Sequence, residues 1–250
     1  MLKVGICGLK YRQQLYKTLD VAELQDTFYN MPDPENLKKL RQEAPPDFEF
    51  TIKVFQALTH PRSSPTWRRM KTKLEGNLDN YGYLKPTEEN FRIWDEFYKR
   101  TRVLNAKIYV FQTPASMPAD DKAFRWVIDF FKSIKKNGII IGWEPRGAWC
   151  EKKELLQKVL EECDIIHVVD PFRRLPYRES KIIYFRLHGI GPGETNYSYR
   201  YTDEDLVKLS DIVKSYLRKG CDVYVLFNNI YMFQDAQRFK QIMKQESATG

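Results

Sequence analysis

Residues 107–146 read KIYVFQTPASMPADDKAFRWVIDFFKSIKKNGIIIGWEPR. The stretch opens on an apolar, β-forming run, Lys107–Phe111, and closes on another, Ile139–Trp143. Between them Phe124, Val127, Ile128, Phe131 and Ile134 recur on one face of a helix over Ala119–Lys136, which Asn137-Gly138 stops. Neither β run alternates polar with apolar residues. Continuous runs of this kind fit strands buried on both faces, as in a parallel sheet.

The same alternation extends in both directions. Further β runs are Val4–Cys7, Glu23–Phe28, Phe48–Val54, Ile165–Val169, Ile182–Leu187 and Asp222–Phe227. Helical patterns cover Pro34–Glu43, with proline suited to a first turn, and Thr87–Arg102, with Phe91, Trp94, Phe97 and Tyr98 on one side. Lys152–Glu162, Thr202–Lys219 (Thr202 as N-cap, Asp205 three on) and Phe233–Lys244 complete the set. Eight strands alternating with helices in 250 residues predict an α/β fold, a single (β/α)8 barrel of the TIM type. It is expected over residues 1–245, with 246–250 as a flexible tail. A doubly wound open sheet would carry a glycine-rich phosphate turn after its first strand, and Gly5-Ile6-Cys7-Gly8-Leu9 lacks that spacing. Two irregularities stand out. Pro171–Ser180 is too short and proline-broken for a full helix, so the helix after strand 6 is incomplete or missing. Gln56–Lys85 makes a long loop after strand 3, and long loops on a barrel usually carry function.

Composition narrows the class. Hydrophobic residues make up 42 % and charged residues 30 %, which excludes a disordered chain. The N-terminal MLKVGICGLKYRQQ has no apolar leader, and no stretch of about 18 apolar residues exists to span a membrane. Cys7, Cys150, Cys163 and Cys221 stand apart with no CxxC pair, as expected of reduced thiols in a cytoplasmic protein. The net charge of +8 favours an anionic partner, a small anionic molecule or nucleic acid. The cations concentrate in 62–73 (Arg62, Arg68, Arg69, Lys71, Lys73) and in 171–181 (Arg173, Arg174, Arg178, Lys181).

Barrel active sites lie at the C-terminal ends of the strands. Polar and aromatic residues collect at those ends here: Thr27-Phe28-Tyr29, Lys53 with Thr59-His60, Gln112, Glu144-Pro145-Arg146 with Trp149, Asp170, Arg186 with His188, and Asn228-Asn229. Glu144 and Arg146, two apart on a strand, face one side as a carboxylate base and an anion grip, or as an ion pair. Arg186 and His188 repeat the spacing. Lys53, inside an apolar run, needs a counter-charge such as Glu144. It tunes that carboxylate or polarises a carbonyl. Glu144, Asp170 and His188 offer ligands for a divalent metal, although no HxH or HExxH spacing is present. Tyr29, Trp149 and the Tyr197–Tyr201 cluster offer rings for stacking on a sugar or base.

Seven short blocks in fixed order then resemble one family. They are Glu23-x-Gln25-x-Thr27-Phe28-Tyr29-x-x-Pro32, Phe48-x-Phe50-x-x-Lys53, Thr59-His60, Phe111-Gln112-x-Pro114, Glu144-x-Arg146-x-x-Trp149, Arg186-Leu187-His188-Gly189 and Phe227-Asn228-Asn229. Across Val4–Phe239 the chain resembles the YecE-like proteins, the domain of unknown function 72. The resemblance implies a TIM-type barrel, related in outline to sugar-isomerase barrels, with Lys53, His60, Gln112, Glu144, Arg146, Arg186, His188 and Asn228 at its mouth. The chain departs from the family's small-residue start at Gly5–Leu9, at Gln25 and at Ile230–Phe233. Three functions follow as expectations. The first is an isomerase-like or hydrolase-like enzyme acting on a small anionic, sugar- or phosphate-bearing substrate. Glu144, His188 and Lys53 would be catalytic, and Arg146, Arg186, His60, Gln112, Asn228, Tyr29 and Trp149 would bind substrate. The second is a nucleic-acid binding or processing protein using loops 62–73 and 173–181. The third is a non-catalytic scaffold docking through Tyr197–Tyr201.

Overall fold

The computed structural model describes residues 1–134 and 138–248, the side chains of the last three excepted. Eight strands close into a barrel in chain order. They are β1 (Leu2–Cys7), β2 (Val21–Leu24), β3 (Glu49–Lys53), β4 (Ile108–Gln112), β5 (Ile140–Glu144), β6 (Ile166–Val169), β7 (Ile182–Leu187) and β8 (Asp222–Phe227). Neighbours pair in parallel, for example Val110 with Gly142 and Gln112 with Glu144. The helices are α1 (Arg12–Thr18), α2 (Asp26–Tyr29), α3 (Pro34–Glu43), α4 (Gln56–Thr59), α5 (Glu88–Thr101), α6 (Asp121–Ser133), α7 (Ala148–Glu151), α8 (Lys153–Glu162), α9 (Asp203–Arg218) and α10 (Met232–Ala248). The chain forms two compact units. One holds Met1–Glu23, Pro45–Glu49 and the chain from His167 onward, and the other holds Leu24–Ala44 and Phe50–Ile166. No described helix is long and apolar enough to cross a membrane.

Caps mark several helix starts. Thr87 accepts from the Asn90 amide ahead of α5, and Thr202 with Asp205 forms a reciprocal capping box on α9. The expected stop at Asn137-Gly138 lies partly outside the described residues. Gly138 itself takes φ +77°, and α6 already ends at Ser133. The last helix continues through Ala248, into the stretch expected to be a tail. Residues 170–181, between β6 and β7, contain turns and no helix. After β3 come α4, two 3₁₀ turns (Pro65–Arg69 and Leu78–Asn80) and then α5.

Strand 2 is the main correction. It was expected over Glu23–Phe28, yet β2 ends at Leu24 and Asp26–Tyr29 coils into a helical turn. Tertiary bonds override the β preference of Thr27 and Phe28. The Thr27 hydroxyl sits 3.0 Å from the Leu24 carbonyl and 2.8 Å from that of Lys53, which curls the chain beside β3.

In the second unit, β4 and β5 divide their side chains cleanly. Tyr109, Phe111 and Trp143 face the helices. There they meet Trp94 of α5 at 5.9 and 5.3 Å between ring centroids, and Phe131 of α6 at 5.9 Å from Trp143. Register places Lys53, Val110, Gln112, Gly142 and Glu144 on the other face. That face carries the polar side chains at the strand ends.

In the first unit, the Arg186 guanidinium of β7 donates to Glu23 of β2 at 2.8 Å, and Tyr184 donates to the same carboxylate at 2.9 Å. In the sheet β8 and β1 lie between those two strands, so the bridge crosses the concave side. Tyr184 stacks on Tyr224 of β8 (5.7 Å), whose hydroxyl donates to Glu49 at 2.8 Å. Glu23 and Arg186 are both fully buried. The interior of this unit is therefore a connected polar lattice rather than a layer of aliphatic side chains. Tyr184, Arg186 and Tyr224 each place a polar atom on a carboxylate of Glu23 or Glu49, which lowers the cost of burying them.

Candidate functional site

Gln112 and Glu144 are register partners at the last positions of β4 and β5. The strand ends at Glu144, so Arg146 is not a strand neighbour as its spacing implied. Gly147 turns the chain there with φ +63°. A Cβ on it would stand 2.4 Å from the Ala115 carbonyl oxygen, so only glycine fits. The turn folds the arginine back, with Nη2 2.9 Å and Nε 3.3 Å from one carboxylate oxygen of Glu144. The carboxylate is 6 % exposed. Charge-assisted bonds of this kind hold both groups in one orientation.

Lys53 ends β3. Its ammonium lies 4.1 Å from the centroid of the Phe28 ring, a cation–π contact that the α2 turn creates. His60 follows α4 with its ring edge-on to Phe28 at 5.0 Å and its Nδ1 2.8 Å from the Thr59 hydroxyl. Burial, then Lys53, then Arg146, pull the His60 pKa down to about 3. The imidazole is therefore neutral at physiological pH. Its resonance is expected not to titrate between about pH 5 and pH 8 in two-dimensional NMR, unlike an ordinary histidine. The unfolded imidazole takes up a proton near 6.5 and the folded one only near 3. Stability present above the upper value thus falls as pH drops through that window. His60→Gln is expected to flatten this acid limb, and a His60 titration near neutrality contradicts the assignment.

Gln56, overlooked in the sequence, is wholly buried beside this group and donates to the Tyr29 carbonyl at 3.2 Å. Tyr29 itself carries the Arg69 guanidinium 3.8 Å above its ring. Trp149 is not a stacking surface. It is fully buried, edge-on to Trp143 at 4.9 Å, and its indole N–H donates to the Pro118 carbonyl.

The first unit has its own cluster at the ends of β6, β7 and β8. Asp170 accepts from the His188 amide at 2.8 Å and from the Phe172 amide at 3.0 Å. The His188 ring nitrogen Nδ1 lies 3.1 Å from the Asn228 side-chain nitrogen, and Tyr197 stands edge-on to the ring. Arg186, expected to grip substrate, has no exposure and holds Glu23 instead. Tyr201 was expected at an exposed aromatic patch. It is buried, and its hydroxyl accepts from the Gly189 amide at 2.8 Å. Burial, reinforced by Asp170, pushes its pKa up. Tyr197 alone of that cluster is exposed, at 45 % among the large apolar side chains. Among the described residues no three His, Cys, Asp or Glu converge as a metal site.

The family model for DUF72, a protein of unknown function, spans residues 9–249. The chain belongs to the DUF72 family. Solved DUF72 structures share its fold. One, from Enterococcus faecalis V583, matches with a TM-score of 0.74 at 17 % identity, covering 98 % of each chain. Another, from Thermotoga maritima MSB8, matches with a TM-score of 0.67 at 23 % identity, covering 98 % of this chain and 99 % of that one. No curated protein matches the chain. The DUF72 relationship thus confirms the barrel and leaves the chemistry to the residues.

Proposed function

We propose that this DUF72 protein is an enzyme acting on a small anionic, sugar- or phosphate-bearing substrate at the ends of β3, β4 and β5. Glu144 is the general acid/base and Arg146 the anion grip. The reaction is isomerase-like or hydrolase-like. The observation that supports this reading is the charge balance. Lys53 and Arg146 stand against Glu144, and the His60 imidazole is kept uncharged first by burial and then by those same cations. A net positive, largely desolvated group favours a small anion, and a carboxylate beside it can move a proton on that anion. Gln112 and His60 supply neutral hydrogen bonds for orientation. In the first unit His188, held by Asp170 and Asn228, is the second acid/base candidate. Cys7, Cys150, Cys163 and Cys221 as thiols fit a cytoplasmic setting.

Calorimetric titration with inorganic phosphate and ribose 5-phosphate tests the anion grip. Arg146→Met is expected to weaken binding at least tenfold, about 1.4 kcal/mol. Glu144→Gln is expected to keep binding and lose turnover. Wild-type affinity in Arg146→Met rejects the grip, and unchanged turnover in Glu144→Gln rejects the base.

A further inference from the structure

The two basic segments differ in what their cations do. In 171–181, Arg173 donates to the Gly189 carbonyl at 2.9 Å and lies 4.0 Å from Asp170. Arg174 pairs with Glu194 at 3.1 Å, and Glu179 is engaged by Lys219. Arg173 and Arg174 thus spend their charge within their own unit. Segment 62–73 does not. It holds five cations and no carboxylate. Arg62, Arg68, Arg69, Lys71 and Lys73 are all exposed. Among the described residues, none of the five enters an ion pair.

The segment is also held in shape. Pro65–Arg69 form a 3₁₀ turn, and the Trp67 indole N–H donates to the His60 carbonyl at 3.1 Å. The Asn30 side chain accepts from the amides of Lys71 and Thr72 at 2.6 and 3.3 Å. The Met31 amide in turn donates to the Thr72 hydroxyl at 2.9 Å. Arg69 lies on Tyr29, as described above. Like charges fixed along a braced strap repel one another, and nothing in the segment relieves them. A small anion neutralises one or two of them. A chain of evenly spaced negative charges engages the series and releases its own counterions in doing so. No large apolar side chain from 62–73 is exposed, so the strap has no anchor for insertion into a bilayer.

We propose that segment 62–73 is a docking strap for the phosphodiester backbone of nucleic acid. Arg62, Arg68, Lys71 and Lys73 contact phosphates, and Arg69 is retained on Tyr29 to brace the strap. This surface is independent of the anion grip at Arg146.

Fluorescence anisotropy with labelled dT20 and a 20-base-pair duplex tests it on the full chain. Four phosphate contacts to a single strand give a slope of log affinity against log salt of roughly −2.8, a loss of about 50-fold between 50 and 200 mM salt. The quadruple variant Arg62→Gln/Arg68→Gln/Lys71→Gln/Lys73→Gln is expected to lose that slope and bind at least tenfold more weakly at low salt. All four side chains are exposed, so its thermal melt should match the wild type. Phosphate titration of the same variant should also be unchanged, which separates this surface from the Arg146 reading. Absent binding at low salt, an unchanged slope in the variant, or binding only to phosphatidylserine vesicles overturns the proposal.

Discussion

Arg186→Met is expected to destabilise the protein by about 3–5 kcal/mol. For a chain of this size that is a fall in Tm of roughly 6–20 °C. The reason is not the strength of the ion pair. Arg186 and Glu23 are both fully buried, so removing the guanidinium leaves a buried carboxylate, still bonded by the Tyr184 hydroxyl, without its counter-charge. The variant must then either hold an ion in a dry interior or protonate Glu23 at a cost. Adding Glu23→Gln should recover much of the loss, because an amide accepts from Tyr184 without carrying charge. Chemical denaturation of the two variants beside the wild type decides the matter. Equal stability of the single and double variants contradicts the account. The exposed Lys132–Glu162 pair is the control, and its removal should leave the melt where it was.

Trp94→Ala comes next, with an expected loss of about 3–5 kcal/mol. Its indole touches Phe97, Tyr98, Tyr109 and Phe111 with ring centroids 5.3 to 6.4 Å away. The truncation therefore opens a cavity where α5 meets β4. Trp94→Phe should be far milder, because the Trp94 indole nitrogen has no hydrogen-bond partner among the described residues. Trp149→Phe makes the informative contrast. It strands the Pro118 carbonyl, which accepts from that indole at 2.8 Å. Denaturant midpoints should rank Trp94→Phe above Trp149→Phe, and Trp94→Ala at the bottom. The reverse order for the two phenylalanine variants would show that packing, not the hydrogen bond, sets the difference.

The barrel was legible because its signals are local. Apolar runs, helical spacing and the Thr87 and Thr202 caps all act within a few residues, and the structure places β4 and β5 within one residue of the runs in the opening stretch, with the shorter α6 between them. Glu144, Arg146, Lys53 and His60 were legible as a group because strand ends gather polar side chains. What stayed hidden depends on partners distant in sequence. Glu23 in Val21–Leu24 reads as an ordinary polar position, and nothing nearby announces that Arg186 answers it. The α2 turn was misread as strand because Thr27 and Phe28 favour strands, and the bond that curls them comes from the Lys53 carbonyl. Trp149 looked like a ring at the mouth because its acceptor, Pro118, lies 31 residues earlier in the chain.

The interior lattice also sets an order of events during synthesis. Glu23 leaves the ribosome 163 residues ahead of the guanidinium that neutralises it, and Glu49 precedes the Tyr224 hydroxyl by 175. Until Arg186 emerges, the Glu23 carboxylate must stay hydrated, and β2 has no reason to bury its inner face. The aromatic layer of α5, β4, α6 and β5 needs only residues between Trp94 and Trp149 and can condense while the remainder is still being made. The first unit is thus the late one, its closure waiting on β7 and β8. A ribosome stalled before Arg186 would hold a nascent chain with a packed aromatic layer and a wet, unfinished polar half.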